Sequence, residues 1–241
     1  MPPAPDPADD PALPRTAVVL VAAGAGTRVG AATSKVLLPL LGTPVLAWSL
    51  RTACSRPYVD RVVVVHRPED ADVVRGLVEQ ERRADQEAVL VTGGPTRHAS
   101  EWRGLAPLRA AVDAGDVEVV VVHDAARPLA EAGLFDATVR LAHEHGGALP
   151  VRPQPGLVTD DVRRHVTGLV GMQTPQAFRA GPLLAAYARA DRDGFDATDT
   201  AGCVATYTDL TLRAVPAPAT NLKITFPEDV ALAERLLLHR R

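Results

Sequence analysis

The sequence predicts an α/β protein with a Rossmann-like, mostly parallel sheet, helices on both faces and a short protruding arm. Two observations predict this class. Four short valine-rich runs alternate with helical stretches between residues 17 and 122, which is the pattern of a parallel sheet covered on both faces. The chain has 241 residues, of which 46% are hydrophobic, so it can bury one proper core, and it contains no repeat or domain-scale linker.

The predicted elements alternate along the chain. The predicted strands span residues 17–22, 61–65, 88–92, 117–122, 147–151 and 212–217. Helices are predicted over residues 44–54 and 69–83, and a further helix follows the loop 93–100 and ends at residue 108. Beyond it, helices are predicted over 131–145, in two stretches after 178, and from 227 onward. Right-handed crossovers place the loops that leave the strands along one edge of the sheet. We therefore expect residues 16–241 to form one domain, from which residues 153–170 extend as the arm.

Composition limits the partners. The net charge is −3 and only 4% of residues are aromatic, so the composition does not indicate a basic, aromatic-rich surface, and no nucleic-acid partner is expected. No apolar run approaches the roughly 20 residues that cross a bilayer, so no membrane association is expected. Residues 1–15 contain neither a basic nor an apolar segment and are predicted to be a disordered tail rather than a signal peptide. Cys54 and Cys203 lie in ordinary apolar patterns, typical of buried reduced thiols in a cytoplasmic protein.

The first strand leads into the glycine-rich loop AAGAGTRVG, residues 22–30. A dinucleotide-binding loop needs G-x-G-x-x-G, but Val29 replaces the third glycine, and no acidic residue ends the second strand. A P-loop is excluded because Lys35 does not follow a glycine. What remains is a tight turn with exposed N–H groups together with Arg28 and Lys35, which fits a triphosphate. The alternative is a glycine turn with two solvated cations.

The motif HDAARP, residues 123–128, directly follows the most hydrophobic strand. An aspartate at the carboxyl end of a buried strand is well placed to hold Mg²⁺ or an incoming hydroxyl, which favours a functional role for Asp124. Arg127 could bind a substrate phosphate or only pair with Asp124, and we interpret His123 as a packed histidine rather than a base. Farther along, Lys223 is a lone lysine between apolar neighbours, for which a snorkelling side chain is the alternative to a functional one.

Six stretches of the sequence together indicate a protein family more specifically than any one of them does alone. They are AAGAGTRVGAATSK, GGPTRHAS, VHDAARP, QTPQAF, ATDTA and NLKITFPEDVALAE. In this order the chain resembles the 2-C-methyl-D-erythritol 4-phosphate cytidylyltransferases of the non-mevalonate isoprenoid pathway. The resemblance implies a nucleotide-diphospho-sugar-transferase-like core that transfers CMP from CTP to a phosphorylated small-molecule alcohol, with Mg²⁺ as cofactor. The same scaffold serves ribitol 5-phosphate, so another phosphorylated polyol or a phosphonate stays open as acceptor, and so does a non-catalytic nucleotide-binding protein.

The resemblance also implies a role for individual residues. The implied catalytic set is Arg28, Lys35, Asp124 and Lys223, with Arg28 and Lys35 on the CTP phosphates and Asp124 also near the metal. The implied nucleotide-binding residues are Ala22, Ala23, Gly24, Gly26, Gly94, Arg97 and Ser100, of which Gly94 and Ser100 correspond to positions that recognise cytosine. Arg127 and Thr198 are implied on the side of the phosphorylated acceptor.

The arm departs from the family pattern. Where the family shows Asp-Thr-x-Lys, residues 154–158 read QPGLV, and where it shows an arginine on the returning strand, residues 165–169 read HVTGL. The arm is also shorter than usual. In the family it exchanges between two subunits and helps to hold the acceptor phosphate, so a homodimer is implied. Our hypothesis is that residues 159–161 (TDD) replace the missing Asp-Thr and that Arg163 or Arg164 replaces the missing cations; the alternative is that these are solvated arm charges.

Overall fold

The computed structural model describes residues 12–24, 34–159 and 163–239. Most of the predicted tail lies outside the described residues, but its end is part of the folded body. Leu13 packs against the core, and Arg15 pairs with Asp116 at 3.1 Å. Leu13 and Arg15 thus make tertiary contacts that the periodicity of the sequence does not reveal.

The described residues form an eight-stranded sheet and a separate small hairpin. The sheet contains β1 (Thr16–Val21), β4 (Val59–His66), β5 (Glu87–Thr92), β6 (Val119–Asp124), β7 (Gly146–Pro153), β8 (Val170–Met172), β9 (Gln176–Arg179) and β10 (Thr211–Pro216), and the hairpin contains β2 (Pro39–Leu40) and β3 (Thr43–Pro44). The order is β10-β7-β9-β6-β1-β4-β5, with β8 paired to β7. Only β8 and β9 run antiparallel to their neighbours in the described sheet, so the predicted mostly parallel sheet is confirmed.

Helices cover both faces of the sheet, as predicted. They are α1 (Val45–Cys54), α2 (Ala71–Glu81), α3 (Arg97–Leu105), α4 (Arg109–Asp113), α5 (Ala132–His145), α6 (Ala180–Asp193), α7 (Thr200–Tyr207) and α8 (Pro227–His239). Alternate residues of β1 point to opposite faces: Val18 and Leu20 pack with α1, α2 and α5, whereas Ala17 and Val19 pack with α3, α4, α6 and α7. Both cysteines are free and buried, as predicted. None of the described helices is long and apolar enough to cross a membrane.

The sequence pattern does not predict β9, which lies between β6 and β7. Its four residues, QAFR, are too few to show a clear alternation, and a proline precedes them. The strand is defined instead by its neighbours, since it pairs with β6 from Val119↔Arg179 to Val122↔Gln176. This pairing places residues 173–175 beside the end of β6, where the candidate site lies.

The excursion predicted at residues 153–170 continues the ladder of β7 and β8. Arg152 pairs with Gly171, and farther out Val158 and His165 form an isolated antiparallel bridge. Apolar side chains of this ribbon are exposed, including Leu169 at 48%. The described part of the arm is therefore a narrow two-stranded extension of the sheet.

Candidate functional site

The carboxyl ends of β1 and β6 open into a cleft of about 460 Å³ at one edge of the sheet. Val21 is paired with Asp124 across these strands, and the amide of Ala125 donates to the Val21 carbonyl at 3.1 Å, which holds the two strand ends together. Predicted site residues that line the cleft are Ala22, Ala23, Gly24, Lys35, Gly94, Arg97, Ser100, Asp124 and Lys223. Loops separated by up to 200 residues of sequence thus converge where a parallel sheet places its ligands.

Not every predicted residue is in the cleft lining. Gly26 and Arg28 lie outside the described residues. Arg127 lies beneath the cleft and is only 9% exposed. Thr198 is exposed in the segment before α7, and Arg163 and Arg164 are exposed on the arm. A single chain therefore does not bring these last three residues to the described cleft, and their role in acceptor binding stays a prediction.

Asp124 is the centre of the charge cluster in the cleft. Its Oδ2 lies 2.8 Å from Nζ of Lys223, and its Oδ1 accepts a hydrogen bond from Arg97 at 2.6 Å. Nε of Arg127 lies 3.8 Å from Oδ2. Three cations from three different segments thus meet at one buried carboxylate, and the amine of Lys223 contacts this carboxylate directly.

These cations determine the protonation state of Asp124. Burial alone would raise the pKa of Asp124, but Arg97, Lys223 and Arg127 hold it well below the usual range. The carboxylate is therefore anionic at any pH at which the protein would work. Arg127 also donates from NH1 to the carbonyl of Asn221 at 2.8 Å. In this structure Arg127 thus pairs with Asp124 and also fixes a neighbouring loop, which corresponds to one of the two possibilities left open for it.

His123 precedes Asp124 and is buried within the core. Burial lowers its pKa to about 3, so the ring is neutral. Its Nδ1 lies 3.1 Å from the hydroxyl of Thr174, and the same hydroxyl accepts a hydrogen bond from the Asp124 amide at 3.0 Å. The ring also packs against Phe135, with the ring centroids 5.1 Å apart. These contacts are those of a packed histidine, and they fix the backbone of Asp124 through Thr174.

Asn221 holds the segment that carries Lys223. Its fully buried side-chain amide donates to Oε1 of Gln173 at 2.8 Å and to the carbonyl of Thr174 at 3.1 Å. Farther along the same segment, the amide of Ile224 donates to the carbonyl of Ala126 at 2.8 Å. Sequence reasoning missed the roles of Asn221 and Thr174, although both lie in stretches that carry the family resemblance. The available signal was their place within those stretches.

Two glycines allow the loop after β5 to pack closely, Gly93 against the first loop and Gly94 against α3. A Cβ on Gly93 would overlap the methyl group of Ala23, and a Cβ on Gly94 would come within 2.6 Å of the Ala99 methyl. The amide of Gly94 donates to the hydroxyl of Ser100 at 3.0 Å. These close contacts and this hydrogen bond fix the shape of the loop, from which Gly94 and Ser100 line the cleft.

The family model for 2-C-methyl-D-erythritol 4-phosphate cytidylyltransferase matches residues 16–239 of this chain. The chain belongs to this family. It is 38% identical over 244 residues to the enzyme of that name from Thermobifida fusca, covering 95% of this chain and 96% of the relative. It is 36% identical over 233 residues to the enzyme of that name from Thermosynechococcus vestitus, covering 93% and 96% of the two chains.

Solved structures that bear the family name have the same fold. The structure of 2-C-methyl-D-erythritol 4-phosphate cytidylyltransferase from Thermus thermophilus superposes with a TM-score of 0.69 at 32% identity, covering 90% of this chain and 97% of that one. The structure of 4-diphosphocytidyl-2C-methyl-D-erythritol synthase from Anaerococcus prevotii gives a TM-score of 0.78 at 25% identity, covering 93% and 96%. The α/β nucleotidyltransferase fold of the family thus extends over nearly the whole chain.

Proposed function

We propose that the chain transfers CMP from CTP to the phosphate of 2-C-methyl-D-erythritol 4-phosphate and releases pyrophosphate. One observation carries the proposal. In a member of this family, Lys35, Asp124 and Lys223 line a single cleft at the carboxyl ends of the central strands. Relatives that bear the name of this activity match the chain along almost their entire length.

The chemistry needs positioning and charge rather than a general base. A phosphate monoester has a second pKa of about 6 and is largely a dianion at neutral pH, so its oxygen is already a nucleophile. Its difficulty is to approach a second polyanion. Lys35 and Lys223 in the cleft wall would neutralise the triphosphate and stabilise the charge that develops on the α-phosphate and on the leaving pyrophosphate. Arg28 is proposed to assist them at the phosphates.

We also propose that Mg²⁺ binds with the nucleotide. Among the residues that the structure describes, no group of three or more acidic, histidine or cysteine side chains could form a protein cage for a metal ion. Asp124 offers a single anionic carboxylate in the cleft, which fits Mg²⁺, because this ion is commonly held by one or two carboxylates plus substrate phosphates and water. When bound, the ion would neutralise charge on the phosphate oxygens. Asp124 would hold it, releasing part of its contact with Arg97 or Lys223.

The acceptor side of the site is proposed to be completed by a second copy of the chain. Arg163 and Arg164 lie on the arm, and neither lines the described cleft of its own chain. Exchange of the arm in a homodimer, which the family resemblance implies, would allow them to act at the neighbouring cleft. Light scattering, which measures the molar mass in solution, tests the homodimer. The cytoplasmic location of the protein also stays a prediction.

Pyrophosphate release tests the proposed function. The purified chain is incubated with Mg²⁺, one of CTP, ATP, GTP or UTP, and a panel of phosphorylated alcohols that includes ribitol 5-phosphate. We expect turnover with CTP and 2-C-methyl-D-erythritol 4-phosphate. Turnover only with another acceptor would reassign the substrate, and CTP binding without turnover of any acceptor would contradict an enzymatic role.

A further inference from the structure

Arg97 bridges two carboxylates, of which only Asp124 has a part in the proposed chemistry. NH1 of Arg97 donates to Asp124 at 2.6 Å, whereas its Nε lies 2.9 Å from Oε1 of Glu101, one helical turn along α3. The Arg97 side chain is 27% exposed and lines the cleft. Of the five N–H donors of this guanidinium, one on NH1 forms a hydrogen bond with Asp124, whereas the contact of Nε with Glu101 is an ion pair. Arg97 can therefore bind a further anion from the cleft while Glu101 still holds it.

Glu101 is not a surface residue that pairs with Arg97 by chance. It is 0% exposed, and its second carboxylate oxygen accepts a hydrogen bond from the hydroxyl of Tyr187 on α6. Tyr187 is itself fully buried, and its ring stacks on that of His98 with centroids 4.6 Å apart. The carboxylate is thus contacted on one side by a fully buried tyrosine and on the other by Arg97.

Burial of the Glu101 carboxylate is energetically unfavourable unless a cation compensates its charge. Desolvation raises the pKa of Glu101, which shows that its charge is costly there, and Arg97 is the cation that compensates it. A purely apolar side chain would fill the space between α3 and α6 at lower cost. The arrangement orients one guanidinium at the first residue of α3, directly beside the loop of Gly94.

We propose that Glu101 is a positioning residue for CTP, which holds the Nε edge of Arg97 so that the rest of its guanidinium can bind the nucleotide. The inference rests on the proposed function. A metal ion held by Asp124 would take up part of the carboxylate that Arg97 contacts, and Glu101 would keep the Arg97 side chain in the cleft. Arg97 can then pass from Asp124 to an anionic group of CTP without a large movement.

The test compares substitutions of Glu101 with a matched control. Glu101→Gln keeps the shape and removes the charge, and we expect the KM and Kd for CTP to rise about tenfold while the KM for the acceptor changes less than twofold. Tyr187→Phe removes only the hydroxyl that anchors Glu101 and should act in the same direction by about threefold. Glu81→Gln is the control, because Glu81 is also a helical glutamate with an 8% exposed side chain and an arginine partner, Arg51, at 2.8 Å. It lies outside the cleft lining and should leave CTP kinetics unchanged.

A double substitution separates positioning from a merely structural role. In the Arg97→Ala background, Glu101→Gln should raise the KM for CTP no further, because the side chain that it positions is gone. If Glu101→Gln lowers the melting temperature but leaves the KM and Kd for CTP unchanged, or if its effect is the same without Arg97, the inference is wrong. If the wild-type chain binds CTP but turns over no acceptor, the proposed function fails, and the CTP Kd values of the variants still decide the role of Glu101.

Discussion

Asp124→Asn removes one negative charge from the centre of the site and keeps the size of the side chain. Its carboxylate lies 2.6 Å from Arg97, 2.8 Å from Lys223 and 3.8 Å from Arg127. Breaking a buried ion pair by removing one partner costs about 3–5 kcal/mol. Two of these cations retain access to water, with side chains 27% and 34% exposed, and only Arg127, at 11%, is buried.

We therefore expect Asp124→Asn to lower the free energy of unfolding by about 3 kcal/mol, the low end of that range. Turnover should fall by a factor of about 10² or more, because the proposed metal ligand is lost as well. Urea unfolding and pyrophosphate release measure the two effects. The matched control is Asp136→Asn, whose half-buried partners Arg56 and Tyr58 lie 3.2 and 2.6 Å away, outside the cleft lining. Asp136→Asn should lower the free energy of unfolding by about 1 kcal/mol or less and leave turnover unchanged.

The difference in stability between wild type and Asp124→Asn should depend on pH in a definite direction. The folded pKa of Asp124 lies below its usual value, so its stabilisation is fully present above the unfolded pKa of about 3.9 and is lost as the pH falls through the folded value. The stability gap between wild type and Asp124→Asn should thus be constant from about pH 5 to 8 and shrink in stronger acid. A gap below about 0.5 kcal/mol at pH 7, or a variant with more than a tenth of wild-type turnover, would refute the central role of Asp124.

Three further experiments test separate parts of the molecule. Lys35→Ala should lower kcat by a factor of about 10²–10³ without unfolding the protein, and an active Lys35→Ala enzyme would contradict its role at the phosphates. Gly93→Ala should destabilise the chain by about 1–3 kcal/mol, because the new methyl group overlaps that of an alanine in the first loop. The control is Gly76→Ala, which lies in open space on α2 and should stabilise the chain by about 0.5–1 kcal/mol. Urea unfolding measures both changes. Arg163→Ala combined with Arg164→Ala should raise the KM for the acceptor and spare that for CTP; an unchanged acceptor KM in initial-rate assays would remove the arm from the site.

The central sheet could be predicted because its signal is local. In β1 and β6, runs of valine bounded by turn residues fix the strand, and the parallel alternation with helices fixes the edge at which Asp124 emerges. Lys35 and Lys223 could be placed at that edge only through the order of the six motifs. The structure adds the distances, among them the 2.8 Å between the amine of Lys223 and the buried carboxylate of Asp124.

The supporting contacts could not be predicted because they join residues far apart in sequence. Thr174 contacts the amide of Asp124 across 50 residues, and Tyr187 reaches Glu101 across 86. In the sequence Glu101 is one of several polar residues on a helix, and nothing nearby indicates that α6 will bury it. The strand β9 is missed for the same reason, since its four residues become a strand only between β6 and β7.

The most direct test of the proposed reaction follows oxygen atoms. The chain is incubated with unlabelled CTP and with 2-C-methyl-D-erythritol 4-phosphate whose phosphate carries ¹⁸O, and the products are analysed by mass spectrometry and ³¹P NMR. If the acceptor phosphate attacks the α-phosphorus of CTP, all of the label appears in a cytidine diphosphate ester and the released pyrophosphate contains none. Label in the pyrophosphate, or no diphosphate ester despite consumption of CTP, would contradict the account.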